Sequence, residues 1–144
     1  MGKAKQLTRA ENALRKFALT YPATNEEFPW GHAVIKVKGK VFVFLSNGLT
    51  LDGVVFSMTV KLPLSGTWAL TKPFASPAGY GMGKSGWVTA QFRAQDEIPV
   101  DLLEQWIDES YRTVAPKKVL ARLEAAQGDA LEEKPAVRKG KKYG

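Results

Sequence analysis

Pro73-Phe74-Ala75-Ser76-Pro77-Ala78-Gly79-Tyr80-Gly81-Met82-Gly83-Lys84-Ser85-Gly86-Trp87, running into Val88-Thr89-Ala90-Gln91-Phe92, is the stretch on which the fold turns. A proline-marked loop with four glycines, one lysine and two aromatics leads into a segment that alternates polar and apolar residues. Glycine adopts backbone angles that other residues resist, so any special loop conformation is expected here. The alternation from Trp87 to Arg93 predicts a strand with one buried and one wetter face.

Working outward, three more strands are predicted before this loop. Ala33 to Lys38 and Val41 to Ser46 read as a hairpin turning at Gly39, and Val54 to Leu62 reads as a third strand in which Ser57, Thr59 and Lys61 alternate with apolar neighbours. Helices flank the strands. Leu7, Ala10, Leu14, Phe17, Ala18 and Tyr21 recur at helical spacing behind a possible Thr8 cap, after a short basic lead from Met1 to Gln6. A short helix follows Ser65. A longer one starts at Pro99 and buries Leu102, Leu103, Trp106, Ile107, Tyr111 and Val114. Lys117 to Ala126 predicts a last helix ending before Gly128. The expected architecture is a single α+β domain over residues 1–127, a mostly antiparallel four-stranded sheet with helices on one face.

Composition narrows the function classes. The 144 residues include no cysteine and one histidine, His32, which removes disulfides, thiolate chemistry and any multi-histidine metal site. His32 sits in the turn-rich segment Asn25 to His32 with no accompanying catalytic pattern, and its expected role is structural. No apolar run approaches the ~20 residues of a membrane helix, and no signal-peptide core is visible, so a cytoplasmic protein without membrane, metal or cofactor is expected. No carboxylate pair has a spacing that calls for acid–base catalysis, and a non-enzymatic role is the expectation.

Net charge is +7, but its location matters more than its size. Lys134, Arg138, Lys139, Lys141 and Lys142 lie in a final stretch without an acid, leaving 16 of the 21 basic residues against all 14 acidic ones. Residues 128–144 are expected to form a flexible basic tail, either a solvated tail or a clamp for phosphate backbones. In the folded part, strand alternation places Lys36 with Lys38, Lys61 with Ser57 and Thr59, and Arg93 with Trp87, Thr89 and Gln91. If those faces coincide, one sheet surface carries four cations without an acid. The strand from Val41 to Leu45 is apolar on both sides and adds either Phe42 and Phe44, or Val41, Val43 and Leu45. Such a surface suits nucleic acid, and it equally suits a protein partner or self-association.

Ala78-x-x-x-x-Gly83-Lys84-Ser85 satisfies a relaxed phosphate-loop spacing. The context argues against it, because a phosphate loop opens a helix and Gly86 to Arg93 alternates as a strand. Phosphate-ester chemistry at this loop is a remote alternative. Tyr80 and Met82 packing on Trp87 is the plainer expectation.

Phe28-Pro29-Trp30-Gly31, the hairpin Phe42 to Ser46, Thr59-Val60-Lys61-Leu62, Gly79-Tyr80-x-Met82-x-Lys84-x-x-Trp87 and Leu102-Leu103-x-x-Trp106-Ile107-x-x-Ser110-Tyr111 come in an order that resembles the MmcQ/YjbR family. The resemblance covers Leu7 to Leu123. It implies a CyaY-like α+β fold and a DNA-binding role by likeness to a double-wing architecture. In that family a histidine and an asparagine accompany the loop tyrosine, methionine and lysine, and a second histidine often precedes the tryptophan. Gly81, Gly83 and Gly86 stand here instead, which removes three polar groups and predicts a looser loop. The frataxin-like acidic ridge that a CyaY-like fold invites is not evident in the first helix, where Arg9, Arg15 and Lys16 outnumber Glu11. The candidate nucleic-acid-binding residues are therefore Lys36, Lys38, Lys61, Lys84, Trp87, Arg93, Arg138, Lys139, Lys141 and Lys142.

Overall fold

The structure is a computed structural model, and it describes residues 2–28, 33–47, 53–79 and 81–132. The elements run α1 (Gly2–Leu19), β1 (Thr24–Glu27), β2 (Ala33–Val37), β3 (Lys40–Asn47), β4 (Val54–Lys61), α2 (Gly66–Ala69), β5 (Ala75–Pro77), a 3-10 turn (Met82–Ser85), β6 (Trp87–Arg93), α3 (Val100–Val114) and α4 (Lys117–Glu132). Among the described residues the sheet has six strands in the order β1-β2-β3-β4-β6-β5, all antiparallel, where the sequence predicts four.

Both additional strands are edges, and neither carries a strand pattern. Thr24-Asn25-Glu26-Glu27 has no apolar residue to alternate; β2 pairing and side-chain bonds from neighbouring elements hold it. Glu26 accepts two bonds from the Arg15 guanidinium of α1, at 2.7 and 3.2 Å. β5 is three residues long and ends in Pro77, a residue tolerated where one side of a strand needs no partner.

α1 and α3 lie across one face of the sheet, and the core fills the space between. α3 buries Leu103, Trp106, Ile107, Ser110 and Tyr111, the spacing that keeps side chains on one face of a helix. Leu102 and Val114 only flank this core. α1 starts at Gly2, earlier than Thr8, because Lys3 to Leu7 are ordinary helix formers without a breaker. α4 likewise runs through Gly128 to Glu132, since one glycine among good helix formers costs only about 1 kcal/mol. The basic stretch from Lys134 onward lies outside the described residues. Among the described residues no helix is long and apolar enough to cross a membrane.

One irregularity decides which side chains of β3 face the helices. In β3, Ile35 pairs with Val43 and Lys36 with Val41, so Phe42 is the extra residue of a bulge. Phe42 and Val43 are both fully buried, Phe42 meeting the Tyr111 ring edge-on at 5.2 Å. The bulge also interrupts the ladder towards β4, whose last pair is Val43 with Val60. Ser110 occupies the break: its hydroxyl donates to the Phe42 carbonyl at 2.6 Å and accepts the Lys61 N–H at 2.9 Å. Ser110 is fully buried, and both lost backbone partners are recovered through one side chain.

Removing that hydroxyl leaves two backbone groups without partners, so Ser110→Ala is expected to cost about 2 to 4 kcal/mol, more than its size suggests. Urea unfolding at constant m-value checks it. Trp106→Ala, which empties the space beside Phe74, is expected to cost about 3 to 5 kcal/mol. A pH dependence follows from Tyr21, whose hydroxyl donates to Asp108 Oδ1 at 2.5 Å. Burial first, then this bond and the Asp108 charge, hold its proton well above the usual tyrosine range. Its raised folded value contributes stability in full below the unfolded value of about 10, and that contribution is lost as pH rises toward the folded value. Tyr21→Phe should therefore flatten the fall in urea midpoint above pH ~10.

Candidate nucleic-acid interface

The face away from α1 and α3 can be read row by row from the strand register. Glu27, Val34, Phe44, Thr59, Thr89 and Ser76 are successive partners and form one row across all six strands. Lys61 pairs with Trp87 on one side of that row, and Ser46, Ser57 and Gln91 line up on the other. Along β4 the outward residues are half-buried and the inward ones buried, without exception.

Phe44 and Trp87 belong to strands separated by β4, yet their rings meet edge-on with centroids 5.6 Å apart. On β4 between them, the Thr59 hydroxyl shares a 2.8 Å hydrogen bond with that of Thr89. Strand alternation leaves either parity of β3 open; the Phe42 bulge selects Phe44 and Val41 for this face and sends Phe42, Val43 and Leu45 inward.

The proposed cations separate. Lys61 and Trp87 are partners at one end of the face, and Lys84, exposed on the 3-10 turn, lies just before Trp87. Arg93 closes β6 at the other end, six residues and about 20 Å along the strand. Its N–H donates to Asp96 Oδ2 at 2.7 Å. Lys36 does face outward, but it forms a 2.8 Å ion pair with Glu27. That pair, with an Asn25 hydrogen bond beside it, lowers the Glu27 pKa below the usual carboxylate range. The expected acid-free surface therefore contains an acid, contributed by a strand that the sequence does not announce. Lys38 is not on a strand at all: β2 stops at Val37, and Lys38 and Gly39, at φ +50° and +82°, form a two-residue hairpin turn. Arg138, Lys139, Lys141 and Lys142 lie outside the described residues, as do His32 and Tyr80.

The glycine loop folds onto itself. The N–H groups of Met82, Gly83, Lys84 and Gly86 donate to the carbonyls of Gly79, Ala78, Gly81 and Gly83. Gly81 and Gly86 have φ of +79° and +90°, and a Cβ on Gly83 would come within 2.8 Å of Pro77 Cβ. Glycine thus makes the loop tight, where its abundance suggests looseness. A phosphate cradle needs several N–H groups converging on a ligand, and these are engaged internally. No three His, Cys, Asp or Glu side chains among the described residues group as a metal site requires.

An antiparallel α+β domain with two helices on one face and a short glycine loop at the sheet end is the class defined by this geometry. The YjbR family model matches residues 19–113, and the chain belongs to that family. Among solved structures it is similar to the Deinococcus radiodurans protein DR2400, with a DUF419 domain. The two share 26% identity at a TM-score of 0.57, over 74% of this chain and 79% of that one. No curated protein matches the chain.

The loop geometry gives a direct expectation. The protein should show no thermal shift with millimolar Mg-ATP, and Lys84→Ala should behave identically; a shift of several degrees that Lys84→Ala abolishes would contradict it.

Proposed function

We propose that the chain binds nucleic acid, with single strands preferred, on the sheet face away from α1 and α3, centred on Phe44 and Trp87. The observation that carries this reading is the ring pair beside Lys61: an aromatic surface with a cation at its edge is what a splayed base and its phosphate require. Lys84 and Arg93 extend the positive charge towards the two ends of β6, and the basic stretch from Lys134 to Lys142 supplies non-specific phosphate contacts. DNA is the form that the family's double-wing likeness suggests. No catalytic step is part of the proposal, and the internally bonded loop gives phosphate-ester chemistry no support.

The neutralised Lys36 favours a second reading for the β1–β3 half of the face. With Lys36 paired to Glu27, half-buried Val41 and Phe44 form a patch without net charge that suits a protein partner.

Fluorescence anisotropy with a labelled single-stranded oligonucleotide, over a salt series from about 50 mM, separates these readings. Trp87→Ala should weaken binding by roughly 5- to 100-fold, the value of one stacked base. Lys61→Ala should flatten the slope of log affinity against log salt by ~0.7, and deletion of residues 134–144 by as much as ~3.5. Lys36→Ala should change little. Absence of binding at about 50 mM salt would remove nucleic acid and leave the protein-partner reading.

A further inference from the structure

Two hairpins turn at the same end of the sheet. Val43 pairs with Val60 and Val60 with Val88, so β3 followed back to Lys40, β4 followed on to Lys61 and β6 followed back to Lys84 all run toward that end. Lys38 stands there too, in the turn that joins Val37 to its partner Lys40. These lysines therefore share one rim, spread across the strands from β2 to β6 over about 15 Å. Lys38, Lys40 and Lys84 are exposed, and Lys61 is half-buried. Among the described residues none of their ammonium groups has an ion-pair partner. Glu27 is taken by Lys36, and Glu109, which reaches this end from α3, accepts the N–H groups of Leu64 and Ser65.

The first hairpin keeps one of these lysines at a conformational cost. Lys38 and Gly39 have φ of +50° and +82°, the pair of positive angles that a two-residue hairpin turn requires. Glycine meets that requirement freely at the second position. At the first, asparagine is the preferred residue with a side chain, and a lysine there bears the strain of the left-handed region. The Lys38 N–H donates to the Ala23 carbonyl at 3.1 Å, which ties the turn to the chain ahead of β1. That bond would form with any residue but proline, so the fold does not call for lysine here. Strain held at an exposed, unpaired cation points to a use for its charge.

We propose that the nucleic-acid backbone crosses the strands along this rim, with phosphates over Lys38, Lys40, Lys61 and Lys84 and bases turned inward onto Trp87 and Phe44. The inference rests on the nucleic-acid reading above and adds the path of the strand. Trp87 pairs with Lys61 at the rim, and Phe44 lies further in, in the row of Thr59 and Thr89. Charge thus stands outside and rings inside, the order in which a single strand presents phosphate and base. A path along β6 meets no cation beyond Trp87 until Arg93, about 20 Å away. Paired bases cannot turn inward, so a duplex would keep only the rim contacts.

Fluorescence anisotropy of the full chain with a labelled single-stranded thymidine oligonucleotide, over salt from about 50 to about 300 mM, tests it. Lys38→Asn removes the charge and relieves the strain: the urea midpoint should rise, while affinity at about 50 mM salt falls roughly 5- to 10-fold. Lys40→Ala should weaken binding by a similar factor with the midpoint unchanged. The two together should flatten the slope of log affinity against log salt by ~1.4, the value of two phosphates on a single strand. Arg93→Ala should flatten it less than Lys40→Ala alone, and Trp87→Ala should leave it as it is, since a ring releases no counterion. Binding that depends on Trp87 but keeps its affinity and slope in the Lys38 and Lys40 variants overturns the path and leaves the reading of the sheet face standing. So does a larger change with Arg93→Ala than with Lys40→Ala. Absence of binding at about 50 mM salt overturns both. Poly-glutamate that binds more tightly than the oligonucleotide, and loses affinity with Lys38→Asn, would assign the rim to an acidic protein and equally overturn the path.

Discussion

The Ser110 hydroxyl stands between the Phe42 carbonyl and the Lys61 N–H, and the arrangement of the sheet depends on that position. Without a partner there, the bulge in β3 would bury two backbone groups unsatisfied. With it, Phe42 and Val43 both turn inward, Val41 and Phe44 turn outward, and the outer face acquires the ring that meets Trp87. A single buried polar side chain thus links the packing of α3 to the chemistry of the opposite surface.

Ser110 is one of four consecutive residues that fasten α3 to different parts of the chain. Asp108 accepts from Tyr21 after α1, Glu109 holds the turn at Leu64 and Ser65, Ser110 joins β3 to β4, and Tyr111 donates to the Pro22 carbonyl at 2.7 Å. Successive helical side chains are rotated by about 100°, so four in a row sweep the whole circumference. One face enters the core while the others reach neighbours on either side. This arrangement gives the second half of α3 a structural weight beyond its apolar residues, and it fixes the turn at Leu64 and Ser65.

Charge on this protein is distributed by pairing more than by composition. Glu26 and Glu27 of the edge strand β1 take up Arg15 and Lys36, and on α3 Asp108 takes up Arg112. The exposed Asp108–Arg112 pair contributes little to stability, but all three alter where positive charge remains unpaired. At one end of the outer face Lys61 stands beside Trp87, and exposed Lys84 precedes Trp87 on the 3-10 turn. Loop glycines act in the same direction, since they pack that end tightly and present Lys84 from a fixed backbone.

What the sequence determined by itself is whatever repeats: the α+β class, the four central strands, the hairpin at Gly39, the inward face of α3 and the family all follow from periodicity or ordered motifs. Single-residue exceptions and polar edges carry no period. Thr24 to Glu27 becomes a strand only because β2 offers its edge and Arg15 its guanidinium, and Ala75 to Pro77 only because β6 does. Alternation placed Lys61 with Ser57 and Thr59, and Trp87 with Thr89 and Gln91, correctly. It could not choose the parity of β3, because an apolar strand looks alike from both sides and a bulge is set by what fills it. The tertiary structure decided that choice, together with the Glu27 that cancels Lys36 and the backbone bonds that close the glycine loop. Each depends on residues far apart in the chain or on carbonyl directions, neither of which is written in the order of side chains.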